Sequence, residues 1–448
     1  MLFVAGCAEP EQPRPQVALD IDRPNVILIV LDTLRADHLS AYGYQRQTSP
    51  ELDAFAAKAD RFSRCIASGS WSLPSHASML TGKPAFQHGA HRIRDRIGAV
   101  VDLALHDDET TLAEIFSQEG YATGAIVANT GIVTSGYGFH QGFDTFEGHR
   151  VPGVELNPIV LDWVAGHAEE PFFLLVNYMD THRYYNTAKR SGDLGLKVGA
   201  DDPVSSLLLA TLENRVPSPE LIEALTNHYD TAIGNVDYAL GQLFDVLKEW
   251  GLFDDTIIVV TSDHGELLGE HALAEHGRDV YQESLHVPLV VKGPGHRAGR
   301  VVDDLVGLSD IPSLILDHLP HDRFGAYTKL FPDRPGNHPI IAQNCYSFPI
   351  LMANPAWGSR FQNIRTAIYE WPHKVIITSG GAEAEVYNLQ LDPDESDDLA
   401  AMQSELIVRL RAQLNRYMDA RGSPPVSRQI PVRPNAKARE ELEALGYL

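Results

Sequence analysis

Residues 24–33 read PNVILIVLDT: the apolar run Val26–Leu31, closed abruptly by Asp32 and Thr33. A strand without polar–apolar alternation must have both faces covered, as in a parallel sheet layered between helices. Three later runs repeat the form. Gly124–Val127 leads to Asn129-Thr130, Phe172–Val176 to Asp180-Thr181-His182, and Thr256–Val260 to Asp263-His264. Open α/β sheets take their ligands beyond the carboxyl ends of such strands. The pattern therefore predicts a doubly wound, mostly parallel sheet that delivers these polar residues to one edge.

The segments between the strands are readable as helices. Ser218-Pro219 forms an N-cap and first turn. Leu221, Ile222, Leu225, Tyr229, Ile233, Val236, Leu240, Phe244 and Leu247 then keep a 3.6-residue period up to Trp250-Gly251, which makes them core rather than a cofactor box. Thr111–Gly120 is a shorter helix, and Val287–Val291 a further buried strand closed by Gly293-Pro294-Gly295. Residues 183–216 lack periodicity and read as an insertion over the site, a lid that sets specificity. From about 341 the pattern becomes short strands and an amphipathic helix over Glu405–Met418, a smaller α+β subdomain. The expected division is 1–23 leader and linker, 24–340 catalytic domain and 341–448 C-terminal subdomain.

A chain of 448 residues accommodates such a pair of units. With 36 Lys+Arg against 60 Asp+Glu, the formal charge of −24 repels nucleic acid and anionic membrane surfaces, so no nucleic-acid partner is expected. It leaves room for a small anion held in a pocket. The opening MLFVAGCAEPEQPRPQ places Val4-Ala5-Gly6 ahead of Cys7 and then a Pro- and Gln-rich stretch. This resembles a bacterial lipoprotein signal, although only six residues precede Cys7 and none is basic. It predicts a lipid anchor on Cys7 as the one membrane attachment and a periplasmic or cell-surface location. Cys65 and Cys345 have no metal or redox spacing, and their pairing stays open.

The stretch SWSLPSHASMLTG, residues 70–82, carries the chemistry. Pro74 suits a first helical turn and Gly82 a stop, so Ser72 lies at a helix N-terminus, as a cap or as a nucleophile. His76, four residues on, shares its face and is a general base or a ligand for a substrate anion. Asp32, Asp263 and His264 form a hard-to-borderline ligand set for one divalent cation. The acids favour Ca²⁺, placed first, or Mg²⁺; the imidazole shifts the choice toward Mn²⁺ or Zn²⁺. With Ser72 turned to the cation, its hydroxyl is activated as water is in metal sites. The helix N-terminus would hold the anionic substrate group. His182 and His276 fall at the same edge, and either can protonate a leaving oxygen.

In order, PNVILIVLDTLRADHLSAYGY, SWSLPSHASMLTG, YMDTHRYY, FDDTIIVVTSDHGELLGEH, VYNLQLDPDESDDLA and the terminal EALGYL resemble the motifs of the sulfatase family, within the alkaline phosphatase superfamily. The resemblance covers nearly the whole chain from about Pro24. It implies an alkaline phosphatase-like fold, one divalent metal, and hydrolysis of sulfate or related phosphate and phosphonate esters. Asp32, Asp263, His264 and Ser72 fall at the metal site. Ser72 occupies the position that maturation enzymes oxidise to formylglycine, which makes such an enzyme an expected partner. His182 matches the leaving-group histidine. Asn129 and Thr130 fall on the substrate side.

The chain departs from the family pattern at several of these positions. Thr33 stands where a second Asp is usual, and His76 where an Arg is usual. Ala128 and Thr130 replace a Lys and a His, and His276 replaces a catalytic Lys. The Asp263-His264 pair and Thr130 resemble the phosphonate monoester hydrolase branch. A formylglycine hydrate attacks with one oxygen and uses the other to expel the anion, whereas an unmodified serine leaves a seryl ester that water must attack. The first expectation is a sulfuric ester hydrolase acting on a sulfated small molecule or glycan. The alternatives are a phosphodiester, phosphomonoester or phosphonate monoester hydrolase with unmodified Ser72, and a non-catalytic binder of anionic glycans.

Overall fold

Val26–Leu31 forms β1 at the centre of the sheet, with every side chain buried. The computed structural model describes residues 22–94, 98–183, 185, 203–295, 298–345, 349–357, 360–381, 383–424, 430–432, 439–440 and 442. Around β1 stand β2 (Asp60–Ile66), β3 (Ala122–Val127), β4 (Thr145–Gly148), β5 (Phe172–Tyr178), β6 (Ile257–Thr261), β7 (His286–Lys292) and β8 (Arg300–Gly307). Their order across the sheet is β8-β2-β7-β6-β1-β5-β3-β4. The apolar runs of the sequence are its consecutive parallel strands β6-β1-β5-β3, and β4 extends them in the same direction. Beyond β6 the direction reverses, since β7 runs antiparallel to both β6 and β2, while β2 parallels β8. Neither β2 nor β8 has an unbroken apolar run, and half of β8 is exposed.

Both faces of β1 meet helices. Ile27, Ile29 and Leu31 join one hydrophobic cluster and Val26, Leu28 and Val30 the other. The helices that matter for the site are α1 (Ser72–Thr81), α2 (Leu112–Gln118), α3 (Gly153–His167), α4 (Pro203–Leu212), α5 (Pro219–Glu249) and α6 (Ser404–Arg421). In α5 the Ser218 hydroxyl caps Leu221 N–H, and the periodic residues from Leu225 to Leu247 pack on the Ile27 face. Its first turn stays near the surface, with Ile222 exposed. Thr111 and Glu114 close a capping box at α2. The insertion expected over residues 183–216 lies largely outside the described residues. Its described part includes α4, whose Val204 and Leu207 are buried.

A second sheet, β9 (Ile341–Cys345), β10 (Ile364–Glu370), β11 (His373–Thr378) and β12 (Ala384–Asn388), is antiparallel throughout. Leu406, Leu410 and Leu414 of α6 cover one face of it, as the amphipathic pattern requires. Cys65 and Cys345 are both buried free thiols, so they do not pair. Cys7 and the terminal EALGYL lie outside the described residues. No helix among the described residues is long and apolar enough to cross a membrane.

Candidate active site

Strand register levels the polar residues. Val30 of β1 lies opposite Asn177 of β5 and Thr261 of β6, and Val127 of β3 also lies opposite Asn177. Asp32, Asn129 and Asp263 therefore emerge one or two residues beyond adjoining strand ends. Asp32 Oδ2 accepts hydrogen bonds from Asn129 Nδ2 at 2.9 Å and Asn177 Nδ2 at 3.3 Å. Asp180, at the same edge, faces away: its Oδ2 accepts the Gly153 N–H at 2.9 Å where α3 begins.

Ser72 is not a cap. The N-cap of α1 is Trp71, which makes no side-chain capping bond, and Ser72 is the first helical residue. Its buried Oγ accepts from Asn129 Nδ2 at 3.2 Å and lies 3.3 Å from His264 Nε2. Gly82 ends α1 in the left-handed conformation, as its place in the sequence predicts.

Asp32, Asp263 and His264 bring one ligand atom each within 4.8 Å of one another, all buried. His264 Nδ1 donates to the Gly265 carbonyl at 2.9 Å, a bond that fixes the tautomer and leaves a lone pair on Nε2. That lone pair lies 3.3 Å from Asp263 Oδ2 and 3.8 Å from Asp32 Oδ1, and neither oxygen has a hydrogen-bond partner. Facing lone pairs in a water-poor interior repel until a proton or a cation joins them. Burial, and then the charge of Asp263, pushes the Asp32 carboxyl up from 3.8 to about 7; burial does the same for Asp263. Burial pushes the His264 imidazole down, which favours its neutral form. This donor set fits one divalent cation.

The other histidines cluster around it. His76 Nδ1 donates to the Ser72 carbonyl at 3.0 Å, and its buried Nε2 has no partner. Burial lowers His76 to about 3, so Nε2 presents a lone pair rather than a proton. That geometry suits a base and not a grip on an anion. The His276 ring lies 4.7 Å from both the His264 and His182 rings, giving a row of three imidazoles. His276 Nδ1 faces the Glu266 carboxylate at 3.3 Å. Burial and the neighbouring imidazoles depress both His182 and His276, His182 to about 3. Thr130 does not join the cluster through a hydrogen bond: its N–H donates to Ala128 O at 3.0 Å, and its methyl lies against Gly148.

Several residues to which the sequence assigns no role hold the cluster together. Thr33 adopts φ 62°, a rare conformation for a β-branched residue. Its N–H donates to Asp263 Oδ1 at 3.2 Å and its hydroxyl to Thr181 O at 2.6 Å, while the Thr181 hydroxyl donates to Asp32 O at 2.6 Å. Tyr229, read as plain core from its helical period, donates its hydroxyl to Thr33 O at 2.6 Å and accepts the Arg35 N–H at 2.9 Å. Arg183 and Arg278 both pair with Glu275 beside His276. Glu266 was visible in TSDHGE, two residues from His264, but that spacing assigns it no role.

Residues 24–321 match the family model described as Sulfatase. The chain is 26% identical to human N-sulphoglucosamine sulphohydrolase, over 76% of this chain and 68% of that protein. It is 23% identical to an N-acetylglucosamine-6-O-sulfatase of Bacteroides thetaiotaomicron, over 93% of this chain and 90% of that protein. The structure of a phosphonate monoester hydrolase of Agrobacterium radiobacter superposes with a TM-score of 0.66 at 20% identity, over 90% of this chain and 97% of the other, and shares the fold.

Proposed function

This chain belongs to the sulfatase family of sulfate-ester hydrolases, and we propose that its nucleophile is Ser72, matured to formylglycine, beside a divalent cation held by Asp32, Asp263 and His264. The convergence of unpartnered carboxylate oxygens and an imidazole lone pair on the Ser72 hydroxyl carries this reading. When bound, the cation neutralises the facing carboxylates and stabilises the negative charge that develops in the transition state. Ca²⁺ or Mg²⁺ suits the two carboxylates, and Mn²⁺ or Zn²⁺ the imidazole.

The remaining residues take roles from their geometry. Asn129 orients the nucleophile, since its one amide group donates to both Asp32 and Ser72. One hydroxyl of the hydrated formylglycine gives its proton to the Asp263 carboxylate as its oxygen attacks sulfur, and the ester C–O–S bond breaks at sulfur. His182 gives its proton to the departing oxygen; the negative charge of the entering ester draws that proton onto the imidazole. His76 Nε2 takes the proton of the second hydroxyl, the carbon–oxygen bond to sulfate breaks, and the aldehyde is restored. His276, held by Glu266, stands where it can share the proton of His182.

The substrate class is a sulfated glycan or a small sulfated sugar, in keeping with the amino-sugar names of the relatives. A formylglycine-generating enzyme is the maturation partner, and a lipid on Cys7 holds the protein outside the cytoplasmic membrane. The test is the mass of the peptide containing Ser72 from active protein, with rates on an aryl sulfate and on a phenyl phosphonate. A loss of two hydrogens with sulfate cleavage supports the reading. An intact serine with faster phosphonate cleavage replaces it by the phosphonate reading, which the Asp263-His264 pair and Thr130 favour.

A further inference from the structure

The carboxyl edge of the sheet also carries a cation that the chemistry above does not use. Arg150 follows β4, the outermost parallel strand, on a segment fixed at three points. Gly148 lies against Thr130, so close that an added Cβ would come within 3.1 Å of the Thr130 methyl. The His149 N–H donates to Val127 O at 2.8 Å, at the end of β3. The Gly153 N–H donates to Asp180 Oδ2 at 2.9 Å, two residues before His182. Arg150 is thus held on the rim between Thr130 and the His182 turn.

Its side chain is exposed and makes no ion pair or side-chain hydrogen bond among the described residues. Arg183, whose charge also reaches His182, is engaged by Glu275, which pairs with Arg278 as well. In a chain of formal charge −24, an unengaged guanidinium at the mouth of a site is notable, because acids to pair with it are abundant. Its charge also reaches the leaving-group histidine, where it lowers the His182 pKa. A guanidinium presents a planar fork that matches a carboxylate or a sulfate through two parallel hydrogen bonds.

We propose that Arg150 binds a second anionic group, a carboxylate or a further sulfate, on the leaving-group side of the ester. The preferred substrate is then a polyanion rather than a simple monosulfate. This rests on the sulfate-ester reading above, in which His182 marks the leaving-group side. A neutral substrate leaves the guanidinium solvated and gains nothing from it.

The test compares three aryl sulfates, 3-carboxyphenyl, 3-sulfonatophenyl and neutral 3-carbamoylphenyl sulfate, with wild type, Arg150→Gln and Arg150→Lys. Wild type should favour the anionic esters by about tenfold in kcat/KM, the scale of one charge-assisted contact. Arg150→Gln should bring the ratio near one, and Arg150→Lys should retain part of it. Rising salt should shrink the wild-type ratio. Preference for the carboxylate over the sulfonate, or the reverse, identifies which anion the fork fits. Equal rates on all three esters in wild type, or a ratio that survives in Arg150→Gln, overturns the proposal. If no ester turns over, the sulfate-ester reading itself fails. Arg150 is then judged by the dissociation constants of the same esters, and equal binding by wild type and Arg150→Gln overturns it.

Discussion

Replacing Asp263 by Asn should stabilise the metal-free protein while abolishing its activity. In the folded chain both Asp32 and Asp263 are pushed from 3.8 to about 7. A carboxyl whose folded pKa is raised binds its proton more tightly folded than unfolded, so stability falls as pH climbs from about 4 to about 7 and stays low above. Three units at about 1.4 kcal/mol each amount to about 4 kcal/mol above pH 7. Burial raises Asp263 and the charge of Asp263 raises Asp32 further, so removing that charge relieves both carboxyls. Asn keeps an oxygen for the N–H groups of Thr33 and His264, which Asp263 Oδ1 now accepts, and removes the charge. At about 1 °C per kcal/mol for a chain of this length, EDTA-treated Asp263→Asn should melt about 4 °C above EDTA-treated wild type at pH 8. About a third of that difference should remain at pH 5, and the two should converge near pH 3. A divalent cation should raise the wild-type Tm at pH 8 and leave the variant nearly unmoved. Asp237 and Glu395, also pushed up to about 7, lower the stability of both proteins with pH, so the diagnostic quantity is the difference between them. A variant that melts below wild type at pH 8, or a difference that does not grow between pH 5 and 8, would refute the reasoning.

Three further outcomes can be checked directly. Ser72→Ala should lower kcat by about a thousandfold or more, as loss of a nucleophile does, with the fold unchanged by circular dichroism. His182→Ala should slow esters of poor leaving groups by about a hundredfold and hardly affect 4-nitrophenyl sulfate, whose leaving oxygen needs no proton; equal losses on both would remove the general-acid role. Tyr229→Phe strips the partners from Thr33 O and Arg35 N–H, at a cost of about 1–3 kcal/mol for each buried group left unpaired. Urea unfolding should show it, together with a weaker affinity for the activating cation in calorimetry.

How much of this was legible depends on what each residue does for its neighbours. Val26–Leu31, Phe172–Val176 and Thr256–Val260 announced a buried parallel sheet because full burial on both faces leaves no room for polar residues. The same fact exposed the site, since a polar residue directly after such a run must sit at the strand end. Strands β2 and β8 were not legible. They lie on the mixed side of the sheet, where one face or one edge meets water, and their composition follows the solvent rather than the core. Ser72 was ambiguous because a cap and a nucleophile occupy the same place at a helix N-terminus. The structure removes the capping reading, since Trp71 is the N-cap and the Ser72 hydroxyl meets Asn129 and His264 from other strands. His76 was equally open until the Ser72 carbonyl took its Nδ1 proton and fixed which nitrogen faces the site.

Thr33 carries backbone strain that its surroundings account for. A β-branched residue at φ 62° costs roughly 1–2 kcal/mol relative to an ordinary conformation. The strain persists because the turn around it is over-determined. Three hydrogen bonds radiate from this one residue: its N–H to Asp263, its hydroxyl to Thr181, and its carbonyl from Tyr229. The next residue adds a fourth link, with Leu34 N–H donating to the Ser262 hydroxyl, which itself donates to His264 O. These bonds end on three segments, the turn after β6, the turn after β5, and helix α5, so the strained peptide stitches together the chain ends that carry Asp32 and Asp263. A second carboxylate at position 33 would add charge to a pocket where two carboxyls are already pushed to about 7. With threonine there, the same position supplies a neutral cross-link, and the ligand cluster keeps its spacing with two buried charges instead of three.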